Sequence, residues 1–144
     1  MITKVTIGGV PMKVLRGDPT GELELSGTRS ELLSLGGELR SGHGEISLEM
    51  VSNPFPYSRS LSWMRFHLVS GKILISSSGD NESLDIQGGP EALALLADNI
   101  EGFASEADQG DQGDHLHVDY FPEHDYLAEG SGSMVVVIDG GAVQ

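Results

Sequence analysis

His115-Leu116-His117-Val118-Asp119 is the stretch best furnished for chemistry in this 144-residue chain. On a strand, alternation places His115, His117 and Asp119 on one face, each two residues further along. Two imidazoles and a carboxylate form a donor set for zinc or another divalent ion. A structural zinc site needs a fourth ligand, and His124 and Asp125 are the near candidates. The wet face of any antiparallel strand is also polar at every second residue, which is the plainer reading of the same pattern.

Other catalytic patterns are weaker. Asp108, Asp111 and Asp114 recur every third residue, whereas an EF-hand loop needs acids at every second position, a glycine and a distal glutamate. A solvated linker fits that segment better. The chain has no cysteine, so thiolate chemistry and disulfides are excluded. There is no Gly-x-Ser-x-Gly elbow, and Gly130-Ser131-Gly132-Ser133 reads as a turn before a strand. A phosphate loop of the Gly-x-x-x-x-Gly-Lys type is missing as well. The expectation is a binding domain with no catalytic residues, no resident metal and no cofactor. The alternative is a metal-dependent hydrolase or metal-binding protein built on His115, His117 and Asp119.

Charge narrows the partner. The net charge is −14, and all eight Lys and Arg lie between Lys4 and Lys72. Residues 73–144 hold fifteen Asp and Glu without one Lys or Arg, against seven acids and eight bases in residues 1–72. Such a field repels nucleic acid and anionic lipid, and speeds encounter with a basic protein surface. No apolar run reaches membrane-spanning length, and the N-terminal residues lack a signal-peptide core. A soluble cytoplasmic protein is expected; the oligomeric state is left open.

The elements that must position these residues follow from periodicity. Residues 2–7 and 12–15 read as strands joined at Gly8-Gly9, and Glu22 to Ser26 alternates strictly. Thr28-Arg29-Ser30-Glu31 has capping-box spacing, and Leu32, Leu35 and Leu39 share a helical face that Gly36-Gly37 weakens. Glu45 to Met50 returns to alternation. An ungapped offset of 61 residues then aligns residues 1–41 with 62–102, setting Leu23 on Leu84, Gly27 on Gly88, Leu32 on Leu93 and Leu35 on Leu96. The second helix starts at Pro90, buries Leu93, Leu96, Ala97 and Ile100, and is expected to end near Gly102. Strands over 115–121 and 134–138 complete the chain. The expected fold is α+β: antiparallel sheet or sheets with two helices on one face, one domain over 1–144, built from two tandem β-β-β-α-β copies, 1–60 and 61–144.

The run from His115 through Tyr120-Phe121-Pro122 and Tyr126-Leu127 to the strand Met134 to Ile138 resembles the C-terminal signature of small actinobacterial proteins among the polymorphic-toxin immunity families. In these a His-rich strand leads into a Tyr-Phe-Pro turn and a Tyr-Leu step. His115 to Asp119 also resembles the opening of the His-x-His-x-Asp-His motif of metallo-hydrolases, with Tyr120 in place of the last histidine. The immunity resemblance spans about residues 60–140. It implies a protein that binds and neutralises a toxin, a basic one such as a nuclease given the charge. The candidate partner-binding residues are Asp114, His117, Asp119, Glu123, His124, Asp125, Tyr126 and Glu129, which join acids for steering to aromatic anchors. Alternation lets only one of Tyr120 and Phe121 face outward, and His124 and Tyr126, in the turn, are expected to be exposed.

Overall fold

The computed structural model describes residues 12–18, 20–77, 82–106 and 115–138. The strand expected over residues 2–7 lies outside them. In chain order the elements are β1 (Lys13–Gly17), β2 (Glu22–Gly27), α1 (Arg29–Ser41), β3 (Gly44–Ser47), β4 (Arg59–Ser60), β5 (Trp63–Leu68), β6 (Leu74–Ser77), β7 (Ser83–Gly88), α2 (Pro90–Glu106), β8 (His115–Val118) and β9 (Met134–Ile138). They form an α+β fold with a five-stranded sheet, β4-β1-β2-β9-β8, and a four-stranded sheet, β3-β5-β7-β6.

The sheets differ from the expected antiparallel pattern at one pairing each, since β2 runs parallel to β9 and β5 parallel to β7. Alternation fixes which face of a strand is wet and carries no information about the direction of its neighbour. Both parallel pairs sit in the sheet interior, flanked by antiparallel hairpins. From β1 the larger sheet reads β1-β2-β9-β8, and from β6 the smaller reads β6-β7-β5-β3. The strand that follows each helix therefore lies in the sheet that does not hold the strand preceding that helix. Neither half of the chain completes its own sheet.

Each sheet turns its alternate apolar residues inward: Leu23, Leu25, Met134, Val136 and Val118 in one, Leu84, Ile86, Met64 and Phe66 in the other. They join the buried face of α1 (Leu32, Leu35, Leu39) and of α2 (Leu93, Leu96, Ala97, Ile100) in one hydrophobic cluster. α1 begins with the expected capping box: the Thr28 hydroxyl accepts from Glu31 N–H, and the Glu31 carboxylate accepts from Thr28 N–H at 2.9 Å. It ends at Gly42, whose φ of 82° is the left-handed conformation that favours glycine at a helix C-terminus. α2 outruns its expected end by a turn, reaching Glu106. Ala104 is buried and Phe103 packs on the core, so packing carries the helix through Gly102.

The helices pack against each other where α1 has Gly36. A Cβ at Gly36 would lie 2.6 Å from Glu101 Cγ and Cδ, while Gly37 has open space beyond it. Glu101 instead lies over Gly36 and accepts from Arg40 at 2.6 Å, beside a second Arg40 bond to Asp98 of the same length. These two glycines yield different predictions. Gly37→Ala should gain up to about 1 kcal/mol from helix propensity. Gly36→Ala must move Glu101 from over α1 and disturb its ion pair with Arg40, which offsets the same propensity gain. Thermal melts should therefore show the larger stabilisation for Gly37→Ala, and equal stabilisation by both would refute the close helix approach.

Candidate functional site

β8 pairs with β9 at the edge of the larger sheet, with His117 opposite Val135 and Val118 opposite Met134. Leu116 and Val118 face the core, which leaves His115, His117 and Asp119 outward and exposed as alternation predicts. β8 is shorter than expected: Asp119, Tyr120 and Phe121 have left the ladder. The His115 and His117 rings stand 6.2 Å apart and tilted. Among the described residues, no group of three or more His, Asp or Glu is placed to hold a metal ion, so the metal-ligand arrangement read from His115, His117 and Asp119 does not assemble.

The turn after β8 corrects the expectation that His124 and Tyr126 are exposed. Both are buried, at 8% and 6% exposure. His124 Nδ1 accepts from the backbone N–H of Tyr126 at 3.1 Å and of Leu127 at 3.0 Å. Its ring lies between Phe121 and Tyr126, with centroids 4.6 Å away on each side. The Tyr126 hydroxyl accepts from Asn99 Nδ2 of α2 at 2.7 Å, and burial pushes its phenol pKa up. Lys72 Nζ donates to the His124 carbonyl at 2.5 Å, and the backbone of Ile73 bonds to Tyr126 and Ala128. These two residues thus staple the turn to β6. Polar residues in a turn are usually solvated, and here two otherwise unpaired N–H groups drew a histidine inward.

Of the remaining candidates, Asp114 lies outside the described residues, while His117, Asp119, Glu123, Asp125 and Glu129 are exposed. Of the aromatic pair, Phe121 faces outward at 58% exposure and Tyr120 packs against the core.

His117 and Asp119 border a cleft of about 190 Å³ whose other walls are Glu22, Leu23, Tyr57, Ser133 and Val135. Tyr57 and Glu22, which no sequence pattern marks as site residues, reach this cleft only through the fold. Tyr57 lies against Gly17, 3.4 Å from where a Cβ there would be, and its hydroxyl donates to Glu24 at 3.0 Å. Burial first, then that hydrogen bond, push the Tyr57 phenol up to about 12, so it remains a donor at neutral pH. Phe55, two residues earlier, is 83% exposed. The flanking Pro54 and Pro56 were the available signal, since Pro-x-Pro disfavours helix and ladder.

Among the described residues no helix is long and apolar enough to cross a membrane. No curated protein and no solved structure matches the chain. Residues 83–140, which run from β7 through α2, β8 and the His124 turn to β9, match the family model of immunity protein 32, and the match supports an immunity-protein family of polymorphic toxin systems.

Proposed function

We propose that this chain is a non-catalytic immunity protein that binds and neutralises a protein toxin in the cytoplasm. The observation that carries this reading is the family match over residues 83–140. The toxin is a basic protein, such as a nuclease, because a partner with a net charge of −14 gains encounter rate from a basic surface. Asp119, Glu123, Asp125 and Glu129 are exposed around the turn and supply steering. His124 and Tyr126 contribute by holding that turn in place. The test is association kinetics with a candidate toxin domain taken from the genes flanking this chain's own. The triple variant Asp119→Lys/Glu123→Lys/Asp125→Lys should associate about tenfold or more slowly at low salt, with a flatter salt dependence and an unchanged circular-dichroism spectrum. An association rate equal to that of the unmodified chain would remove these acids from the encounter surface.

A further inference from the structure

The two sheets present corresponding outer faces that differ in one decisive respect. At the centre of the smaller sheet Arg65 stands between Asp85 and Glu45. Its guanidinium donates to Glu45 at 2.7 Å and to Ser83 at 3.3 Å, and Ser83 in turn donates to Asp85 at 3.3 Å. The charges of that face are satisfied within it. In the larger sheet the corresponding central residue is Val135, between Glu24 and His117. The arginine is replaced by an apolar side chain while the acid is kept. Beyond it, Glu22, Ser133 and Asp119 line the same cleft. Among the described residues no Lys or Arg forms an ion pair with Glu22, Glu24 or Asp119.

This outer face carries a band of half-exposed apolar side chains, Leu15, Val135 and Val137, beside those acids. Its cleft is lined by half-exposed Val135 together with the polar residues Glu22, Ser133, Asp119, His117 and Tyr57. That combination suits a side chain with an aliphatic stem and a cationic head. Two residues before Tyr57 is Phe55, the most exposed large apolar residue described, within the turn closed by the Tyr57 N–H bond to Pro54. Apolar side chains beside acids that no described Lys or Arg pairs make up the composition of a binding surface, and a desolvated charge pair inside it governs dissociation more than encounter.

We propose that the outer face of the five-stranded sheet is the docking surface for a basic segment of the toxin, with a Lys or Arg side chain entering the cleft between Glu22, Tyr57, His117 and Asp119 and Phe55 packing beside it. This rests on the immunity reading and names the surface that performs it. The sheet face holds the complex together, while the acids of the turn at Glu123, Asp125 and Glu129 steer its formation.

Two measurements on the full chain test this. In the first, amide resonances are followed by NMR during titration with the peptide acetyl-Arg-Arg-Arg-amide, with a tri-glutamate peptide as control. Shifts should concentrate at Glu22, Ser133, Val135 and His117 with tri-arginine alone, and vanish in the Glu22→Gln/Asp119→Asn variant. In the second, Glu22→Lys/Glu24→Lys and, separately, Phe55→Ala are measured against the candidate toxin domain from the flanking genes. Each should raise the dissociation rate about tenfold or more, whereas Glu123→Lys/Asp125→Lys/Glu129→Lys should change chiefly the association rate. Phe55 is exposed, so its variant reports on binding even where the charge reversals disturb folding. Tight binding and protection that survive both face variants, with tri-arginine shifts located elsewhere, overturn this surface and leave the immunity reading standing. A chain that does not bind the toxin at all overturns the immunity reading, and tri-arginine shifts on the face then still show a cation-binding surface. Concentration-dependent broadening of the same resonances without peptide would assign the face to a second copy of this chain and overturn the proposal.

Discussion

His124→Ala should lower stability by about 2–4 kcal/mol. The imidazole Nδ1 is the acceptor for two backbone donors, Tyr126 and Leu127 N–H, at a buried site. Each donor stranded without a partner costs about 1–3 kcal/mol, and loss of ring packing between Phe121 and Tyr126 adds to that. His124→Asn should recover a large part of the loss, because Oδ1 of asparagine reaches the N–H groups two and three residues on in the same way. Urea unfolding of the three proteins checks this ordering. The turn forms part of the matched segment and carries the exposed acids proposed to steer association, so on that proposal the alanine variant should also bind a toxin more weakly. Equal stability of all three would show that water satisfies those donors and that the histidine does not hold the turn.

Gly88→Ala is expected to cost about 1–3 kcal/mol, and Gly27→Ala less. These glycines occupy the same place in the two hairpin sheets, at the ends of β7 and β2. A Cβ on Gly88 would fall 2.8 Å from Ile73 Cγ1 and 3.1 Å from the Ile73 Cα, a backbone atom of a chain pinned on both sides by hydrogen bonds to Tyr126 and Ala128. A Cβ on Gly27 would fall 2.7 Å from Met12 Cγ. Met12 is unbranched and can re-route, whereas Ile73 is β-branched and fixed, so overpacking is relieved at one site and not at the other. Chemical denaturation of the two variants should show the larger drop in midpoint for Gly88→Ala. The reverse order would contradict the contact geometry.

These contacts also show what the sequence made legible. The 61-residue offset pairs Gly27 with Gly88 and Met12 with Ile73, and the structure supplies the physical reason for the shared glycine: in both places the residue just before a neighbouring strand, β1 or β6, presses where a side chain would be. Strand faces, the capping box and both helix starts were readable because each depends on residues a few positions apart. The parallel pairings of β2 with β9 and of β5 with β7 were not, because pairing between distant segments is decided by tertiary packing. Tandem duplication, with the strand after each helix crossing to the other sheet, is our reading of the common strand order. Within the candidate site, alternation placed His117 and Asp119 on the outer face correctly, but it is silent on turns, where His124 and Tyr126 went inward to satisfy backbone donors and α2. Glu22, Glu24, Tyr57 and Phe55 come from segments far from β8 in sequence, and only the β2–β9–β8 order sets the two glutamates beside it.

The most direct test of toxin neutralisation is survival of cells that express a candidate toxin domain taken from the genes flanking this chain's own, with and without the chain itself. Cells should grow when the two are co-expressed, arrest with the toxin alone, and arrest again when a toxin from an unrelated system replaces the cognate one. Arrest despite abundant, folded chain in the cognate pair would contradict the immunity reading.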